Sequence, residues 1–493
     1  MQLVVAWDGA SFDLIDPLIA KGELPNLAQL VQKGQRVRLE STWPAVTFPA
    51  WTSFMTAASP GRHGLTDFCI RQGYELRFTN ATHRRLPTVW SRLNSAGLRT
   101  GVYGLPATYP PEPLDGLQVP GFDTPLGAGS ARRLTHPEDL AGRLRARYGR
   151  LGIEGIQQSQ FGEGWHRDAL ARMLDDIDLR TRIVTDLLRE QRFDLFLVHF
   201  AESDTVSHQF WQFCDPASPR HVPAPEFEPA IATVYRRLDR ALGDLVAAAG
   251  EGATVMVVSD HGSGGASDRA IAWNRWLSDS GHLAFRRAGG RGARAIKRAA
   301  LSVVPASLQP SLLRRWPELG ARLESRARLG AIDWRSTRAF SEELPYYPAI
   351  WLNLRGREPQ GVVDPADADS VLRELETQLA ELRDPLGNNA RVVRRTYRRE
   401  ELFSGPWAGL APDLIVELEE PDGYSYAAVS SRGGSERSWK RRLTAAEMTG
   451  ERGTSMAGAH RREGVCVLAG EGVSGCAPER ASIADSGAVL LAQ

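Results

Sequence analysis

The fold is decided around one stretch of the sequence, Trp43-Pro44-Ala45-Val46-Thr47-Phe48-Pro49-Ala50-Trp51-Thr52. Pro44 and Pro49 restrict the backbone on either side of Thr47, and residues 50–58 are predicted to form a helix. Proline suits a first helical turn because its missing N–H would have no partner there. Thr47 is therefore expected at or just before a helix N-terminus, where free amide groups and the helix dipole favour an anion such as phosphate. A threonine that only caps the helix is the alternative interpretation.

The composition is that of a large globular protein and argues against several classes of function. The chain has 493 residues, of which 42% are hydrophobic and 24% charged, which is ordinary for a protein with a sizeable core. The net charge of +1 gives no reason to expect a nucleic-acid partner. Only four of the 60 basic residues are lysine, and no G-x-x-x-x-G-K-[ST] loop occurs. The sequence therefore disfavours a P-loop nucleotide site.

The N-terminus and the cysteines predict a cytoplasmic protein. The chain enters an apolar run, predicted to be a buried strand, at Leu3 without the charged and apolar regions of a signal peptide. No apolar run approaches the roughly 20 residues that a membrane helix needs. The four cysteines, Cys69, Cys214, Cys466 and Cys476, show no C-x-x-C spacing. We expect them to be reduced thiols.

Metal-type side chains follow three predicted buried strands. The strands and the residues that follow them are 3–7 with Asp8, 193–200 with Asp204 and His208, and 253–259 with Asp260 and His261. In open α/β sheets ligands bind at the carboxyl edge, so these side chains are expected to meet there. Asp204 and His208 are four residues apart and share one face of a helical turn. A helix cap at Asp8 and a surface ion pair between Asp204 and His208 are the alternatives.

Two further histidines have contrasting sequence contexts. His460 follows Met456-Ala457-Gly458-Ala459 and precedes a predicted strand at 464–469. Alone it would be interpreted as a loop histidine, but its position allows it to join the other groups. His199 lies within the predicted strand 193–200 and is interpreted as a core histidine.

The collected residues match the ligand inventory of a two-metal centre. They are Asp8, Thr47, Asp204, His208, Asp260, His261 and His460. Zn²⁺ takes imidazole nitrogen and carboxylate oxygen, and two such ions about 3.5–4 Å apart can clamp the oxygens of a displacement at phosphorus. A threonine hydroxyl is a weak nucleophile that metal coordination can activate. The set therefore favours phosphoryl transfer at Thr47.

One segment differs from the rest in composition. Residues 285–329 are rich in arginine, contain only Glu318 and Glu324 as acids, and are interrupted by prolines. We interpret the segment as an inserted helical lid or cap. A basic amphipathic stretch can touch acidic lipid, but it is more often a solvated insertion, and its arginines could also reach an anionic substrate.

In order and local context the motifs resemble the alkaline phosphatase superfamily, within its type I phosphodiesterase/nucleotide pyrophosphatase branch. The similarity extends to a group described as predicted phosphohydrolases/phosphomutases. The matching motifs are Trp7-Asp8-Gly9, Thr47-Phe48-Pro49, Pro60-Gly61-Arg62-His63-Gly64, Asp204-x-x-x-His208, Ser259-Asp260-His261-Gly262, Gly458-Ala459-His460, Asn353-Leu354-Arg355-Gly356-Arg357-Glu358-Pro359 and Ala411-Pro412-Asp413-Leu414. The resemblance implies an α/β fold with a three-layer α/β/α core, a mostly parallel central sheet and an inserted lid. The core would comprise residues 1–284 and 330–493, with the lid at 285–329.

The resemblance also implies roles for the site residues. One metal would be held by Asp204, His208 and His460, and the other by Asp8, Asp260, His261 and the Thr47 oxygen. Thr47 would form a covalent phosphothreonine that water then hydrolyses. The metals would be two divalent ions, Zn²⁺ or Mn²⁺, and the substrate a small phosphate ester. His63 matches the family but is not one of its ligands, so we interpret it as structural.

Three departures from the family pattern bear on the substrate and the C-terminus. Relatives carry Asn after Thr-Phe-Pro, where this chain has Ala50, and a phosphate-holding Asn after His-Gly, where it has Leu65-Thr66-Asp67-Phe68. The chain also ends at Gln493, where relatives continue through a Pro-containing helix. The natural ester therefore stays open. Phosphomutase or phosphotransferase activity through the same intermediate, and a non-catalytic binding protein on the same fold, are the alternatives, whereas Thr47 in place of a modified Cys or Ser disfavours a sulfatase.

Overall fold

A computed structural model gives the fold of the chain. It describes residues 1–125, 133–156, 164–286, 328–344, 347–431, 434–450, 455–470, 473 and 478–492. Most of the predicted lid, 287–327, lies outside the described residues, as does Cys476. Phe285, which precedes this segment, and Ile332, which follows it, form an antiparallel bridge.

The described strands and helices are numbered here in chain order. The strands are β1 (Gln2–Trp7), β2 (Gln35–Glu40), β3 (Cys69–Gln72), β4 (Glu75–Phe78), β5 (Thr100–Tyr103), β6 (Gly116–Val119), β7 (Leu195–Phe200), β8 (Thr254–Val258), β9 (Gly262–Ile271), β10 (Ala339–Phe340), β11 (Ala349–Leu352), β12 (Val393–Arg398), β13 (Leu414–Leu418), β14 (Ser425–Ala428), β15 (Lys440–Arg442), β16 (Gly458–Arg461), β17 (Glu463–Ala469) and β18 (Arg480–Ser482). The helices are α1 (Phe12–Ala20), α2 (Pro25–Lys33), α3 (Thr47–Thr56), α4 (Pro60–His63), α5 (Val89–Ser95), α6 (Leu140–Tyr148), α7 (Trp165–Glu190), α8 (Glu202–Cys214), α9 (Ala230–Ala249), α10 (Trp273–Asp279), α11 (Ala368–Ala380), α12 (Arg399–Leu402), α13 (Ala445–Gly450) and α14 (Ile483–Ala492).

The central sheet has eight strands in the order β18-β2-β17-β8-β1-β7-β5-β6. Its neighbours pair in parallel except at β17, which is antiparallel to both β2 and β8. The central strands β1, β7 and β8 are almost wholly buried and apolar, as parallel strands covered on both faces must be. Their carboxyl ends lie at one edge of the sheet, where the predicted site residues follow them.

Helices cover both faces of this sheet. Successive side chains of a strand point to opposite faces, so Leu3, Val5 and Trp7 pack with α1, α2, α6, α7 and α9. Val4 and Ala6 face the other way and pack with α3, α5 and α14. The expected three-layer α/β/α core with a mostly parallel sheet is confirmed.

A second hydrophobic core lies beside the first. It contains the four-stranded sheet β10-β11-β13-β12, α10 and α11, and we call it the second lobe. Strand β9 begins at the carboxyl edge of the central sheet and runs towards this lobe, pairing on its way with β16, β14 and β15. The second lobe therefore stands over one side of the predicted site.

Most predicted elements are present with small shifts at their ends. The helix predicted to begin at Ala50 begins at Thr47, because a proline at position 49 still falls within the first turn. Cys69, Cys214 and Cys466 are free, as expected. Among the described helices none is long and apolar enough to cross a membrane.

Candidate metal centre

The structure brings all seven predicted site residues to one edge of the central sheet. Asp8 follows β1, and Asp260 and His261 follow β8. Asp204 and His208 lie one turn apart in α8, His460 lies in β16 beside β9, and Thr47 begins α3. Every side chain in the carboxylate–imidazole cluster is buried except that of Asp204, which is 19% exposed.

Thr47 is not a helix cap. Val46 occupies the N-cap position, and α3 has no side-chain capping bond. The Thr47 hydroxyl instead lies 3.4 Å from Nε2 of His261. The first residue of a helix, with its hydroxyl directed at the cluster, is well placed to meet an anion.

Each of the three imidazoles turns its Nδ1 to a backbone carbonyl. His208 Nδ1 lies 2.9 Å from the Gly458 oxygen, His460 Nδ1 2.8 Å from the Ala45 oxygen, and His261 Nδ1 3.0 Å from the Gly262 oxygen. A carbonyl only accepts, so we assign the hydrogen to Nδ1, which leaves Nε2 for another partner. Such carbonyl contacts are the usual way in which proteins orient metal-binding histidines.

The Nε2 atoms converge on one another and on carboxylate oxygens. Nε2 of His208 lies 3.0 Å from Nε2 of His460 and 3.2 Å from Oδ1 of Asp204. Two imidazole nitrogens this close need a proton or a cation between them, because their lone pairs repel. The centre between these three side chains therefore favours positive charge.

Each carboxylate keeps one oxygen without a hydrogen-bond partner among the described residues. These oxygens are Oδ1 of Asp8, Oδ1 of Asp204 and Oδ2 of Asp260. The other Asp8 oxygen accepts from His199 and Trp51, and Oδ1 of Asp260 accepts from the amide of Gly9. Buried charged oxygens are normally paired, so three such atoms in one cluster indicate a missing cationic partner.

The pKa directions describe the same excess of negative charge. Burial and the nearby Asp8 carboxylate raise the pKa of Asp260 well above its ordinary value. Burial would also raise the pKa of Asp8, but the bond from His199 and the charges of His199 and His261 lower it overall. Burial lowers the pKa of His208, but the Asp204 carboxylate outweighs burial and raises it.

The donor set fits divalent metal ions. The potential ligand atoms of Asp8, Asp260 and His261 lie within 4.8 Å of one another, as do those of Asp204, His261 and His460. His261 belongs to both of these ligand groups, which we call the two halves of the cluster. Its Nε2 lies 3.5 Å from Oδ1 of Asp8 and 3.3 Å from Oδ2 of Asp260. Imidazole and carboxylate in these proportions suit Zn²⁺ and related ions.

Gly9 shows how closely the two halves pack. Its φ is +63°, and a Cβ there would lie 2.8 Å from Oδ1 of Asp204. A larger residue after Asp8 would therefore push the Asp204 carboxylate out of the cluster. The Asp-Gly sequence at the end of β1 is a condition for bringing the two halves together.

The sequence did not reveal two residues that contact the cluster. His199 is buried, as expected of a core histidine, but its Nε2 lies 2.8 Å from Oδ2 of Asp8. Trp51 Nε1 donates to the same oxygen over 3.1 Å. A strand that is buried on both faces has no alternation of polar and apolar residues, so the sequence did not show that the His199 side chain lies beside Asp8.

The surroundings of Thr47 are partly apolar. Phe48 packs with Leu65 and Ala107, and its ring lies 4.4 Å from that of Phe68 and 6.3 Å from that of Phe122. His63 is wholly buried and bonds to Ser53 of α3 over 2.9 Å, in keeping with its predicted structural role. On the other side His208 and His460 line a cleft that reaches Tyr347 and Tyr426 of the second lobe and its neighbouring sheet.

Comparisons with known proteins agree with this architecture. A comparison with curated protein sequences found no match. Among solved structures, phosphonoacetate hydrolase from Sinorhizobium meliloti 1021, in complex with phosphonoformate, is 15% identical with a TM-score of 0.58, and the match covers 100% of this chain and 95% of that one. Murine ectonucleotide pyrophosphatase/phosphodiesterase 5, as an inactive form in complex with AMP, is 13% identical with a TM-score of 0.50, over 100% and 94% of the two chains. At such identities these similarities establish the fold alone.

The family comparison covers most of the sequence. The model of the family described as type I phosphodiesterase/nucleotide pyrophosphatase matches residues 2–440, which include six of the seven cluster residues. The chain therefore belongs to the type I phosphodiesterase/nucleotide pyrophosphatase family.

Proposed function

We propose that the protein is a two-metal phosphohydrolase that cleaves a small phosphate ester through Thr47. The observation that supports this most is the convergence of three carboxylate oxygens, which have no hydrogen-bond partner among the described residues, and three Nε2 atoms beside one hydroxyl. Asp204, His208 and His460 would hold one divalent ion, and Asp8, Asp260, His261 and Thr47 the other. When bound, the ions would neutralise phosphate charge and activate the hydroxyl.

In the first step the Thr47 oxygen forms a bond to phosphorus and the bond to the ester oxygen breaks. Phosphothreonine forms, and the alcohol leaves with the proton that Thr47 gives up. In the second step water adds to phosphorus, the bond to Thr47 breaks, and a proton of the water restores the Thr47 hydroxyl. Ester and water are thereby converted into alcohol and phosphate. The N-terminal turn of α3 would hold the transferring group with its free amides.

Metal content tests the proposal first. After purification in excess Zn²⁺ or Mn²⁺, elemental analysis is expected to find two ions per chain and p-nitrophenyl phosphate esters to be hydrolysed. Fewer than one bound ion per chain would contradict the two-metal assignment and leave the binding-protein interpretation standing.

Substitution of the nucleophile tests the role of Thr47. Thr47→Ala is expected to keep both ions and to lose roughly 10⁴-fold or more in turnover. Thr56→Ala is the matched control, because Thr56 is buried in the same helix but bonds only to the Thr52 carbonyl in the described structure. Comparable turnover in Thr47→Ala would mean that Thr47 is not the nucleophile.

Acid quenching separates hydrolase from transferase. Mass spectrometry of the quenched wild type is expected to find phosphate on the peptide containing Thr47. Products formed with a competing alcohol then decide the acceptor: free phosphate indicates a hydrolase, whereas a new ester indicates a phosphotransferase or mutase.

A further inference from the structure

One oxygen of Asp8 is hydrogen-bonded by two side chains. His199, on the neighbouring strand β7, places Nε2 2.8 Å from Oδ2 of Asp8, and Trp51, on α3, donates to the same atom over 3.1 Å. Both rings are buried, with exposures of 1% and 0%, and they meet edge to face at 5.3 Å. The contact is thus dry, and its hydrogen bonds are stronger than they would be in water.

These two hydrogen bonds decide which oxygen Asp8 can offer to a cation. Oδ2 accepts two N–H groups, so rotation of the carboxylate would break two buried bonds. Oδ1 has no hydrogen-bond partner among the described residues and lies 3.5 Å from Nε2 of His261. Asp8 can therefore present a single, fixed oxygen to the centre of the cluster.

Packing alone does not account for a histidine at position 199. The other residues of β7 are Leu195, Phe196, Leu197, Val198 and Phe200, all apolar and buried. A polar ring in such a strand costs free energy unless it is hydrogen-bonded. The register sets His199 beside Ala6, two residues before Asp8, and the amide of Asp8 bonds to the carbonyl of Phe200. The strand pairing itself brings the ring to the carboxylate.

Trp51 links the same carboxylate to the proposed nucleophile. It lies four residues after Thr47, one turn along α3, so both side chains extend from the same face of that helix. A change in the position of α3 would therefore move the nucleophile together with the Trp51 N–H that donates to Asp8.

We propose that His199, with Trp51, is a positioning residue of the metal centre, which locks Asp8 so that Oδ1 alone faces the cation. The inference rests on the proposed two-metal function, and adds to it a residue outside the ligand set. Removal of an outer hydrogen-bond partner of a metal ligand typically weakens metal affinity about 10–100-fold.

Metal affinity, measured by competition with a chelator, tests this directly. In His199→Phe we expect one of the two ions to bind about 10–100-fold more weakly while the other keeps its affinity. His199→Gln can still donate from its amide, so its affinity is expected to return to within several-fold of the wild type. Trp51→Phe removes the second donor and should weaken the same ion.

His282→Phe provides the matched control. His282 is also a buried imidazole, but it belongs to the second lobe and faces Gln378 at 3.0 Å. The His282→Phe substitution should leave the affinities for both metal ions unchanged. Thermal melting in chelator shows that each variant is folded.

The outcomes separate the inference from the function on which it rests. Two ions bound with wild-type affinity in His199→Phe would overturn the positioning role and leave the two-metal proposal intact. Equal loss in the Phe and Gln variants would show that the hydrogen bond is not the cause. A wild-type protein without bound metal would overturn both.

Discussion

Two groups of charged residues in this molecule, each built around buried carboxylates, differ in how those carboxylates are paired. The first is the carboxylate–imidazole cluster at the carboxyl edge of the central sheet. The second, which we call the arginine–carboxylate cluster, joins the hairpin β3–β4 to the second lobe and consists of Arg71, Arg357, Glu358, Arg399 and Asp413. Both are built from motifs that are far apart in the chain.

In the arginine–carboxylate cluster every carboxylate oxygen has a partner. Glu358 receives both terminal nitrogens of Arg71, at 2.5 and 2.9 Å, and Nε of Arg357 at 2.7 Å. Asp413 is bonded by Arg357 through two nitrogens, by Arg399 and by the amide of Leu352. Planar guanidinium groups match carboxylates in pairs, so both carboxylates of this cluster are satisfied, and we call the cluster complete in this sense. Nε of Arg71 is the exception on the donor side, because it has no hydrogen-bond partner among the described residues.

The carboxylate–imidazole cluster has no arginine among its described contacts and leaves an oxygen of each aspartate without a hydrogen bond. This contrast shows that burial and charge do not by themselves indicate a ligand site. What distinguishes the two groups is whether the carboxylate oxygens are matched by donors within the described part of the protein. The arginine–carboxylate cluster, which is complete, stabilises the fold. The carboxylate–imidazole cluster is incomplete and needs an added cation.

The largest expected effect comes from breaking the complete cluster. Asp413→Ala removes the shared partner of two arginines and of the Leu352 amide, and should lower the free energy of unfolding by about 3–5 kcal/mol in urea titrations. Metal content per folded chain should not change.

Asp369→Ala is the control for this substitution. Asp369 also bonds to two arginines, Arg373 and Arg398, but its side chain is 54% exposed. Its loss should destabilise the protein much less than the loss of Asp413. Equal costs in the two variants would mean that burial does not set the strength of the arginine–carboxylate cluster.

The opposite sign is expected when an acid is removed from the incomplete cluster. Asp260→Asn removes a buried carboxylate oxygen that has no hydrogen-bond partner among the described residues and that lies near the Asp8 carboxylate. The metal-free protein should therefore become more stable, by about 1–3 kcal/mol. The same variant should bind metal poorly. Urea titration with and without chelator measures both effects.

Asp239→Asn is the matched control here. Asp239 is as buried as Asp260, but its oxygens accept from Asn26 and from the amide of Leu27. The substitution should destabilise the protein with or without metal. A metal-free Asp260→Asn protein that is also less stable than the wild type would break the proposed contrast between the clusters.

The sequence located the incomplete cluster better than the complete one for a physical reason. Asp8, Asp204 and Asp260 stand next to buried strands, and the geometry of parallel sheets puts strand ends together whatever the remaining sequence. Arg71 and Glu358 are 287 positions apart and belong to no common element. The motifs at 353–359 and 411–414 were visible, but their partners depend on how the second lobe meets the hairpin β3–β4.

The same reasoning explains which parts of the site were missed. His199 bonds to Asp8 because strand register sets it beside Ala6, two residues before Asp8, and register cannot be seen in a strand that is apolar on both faces. The capping interpretation of Thr47 was open because a hydroxyl at a helix start serves either role. The N-cap position of Val46 and the contact of the Thr47 hydroxyl with His261, which follows β8, distinguished the two.

The smallest effect concerns Glu342, a carboxylate at the margin of the complete cluster. Arg71 approaches it only to 3.6 Å, since that guanidinium is already paired with Glu358. Burial raises the pKa of Glu342 to about 7 against the charge of Arg71, and burial with the Glu342 charge raises the pKa of Asp67 to about 7. Here the arginine–carboxylate cluster shares the shortage of positive charge seen in the metal centre.

A raised folded-state pKa makes stability depend on pH in one direction. The contribution of Glu342 is fully present below its ordinary pKa of 4.5 and is lost as the pH rises through about 7, because the unfolded chain ionises first. The stability advantage of Glu342→Gln over the wild type should therefore be larger at pH 8 than at pH 5.5, by about 1–2 kcal/mol. Urea titrations in chelator at the two pH values measure this, with part of the slope remaining because Asp67 titrates in the same range. Parallel pH profiles for the two proteins would show that Arg71 satisfies both glutamates, and the arginine–carboxylate cluster would then be complete at its margin as well.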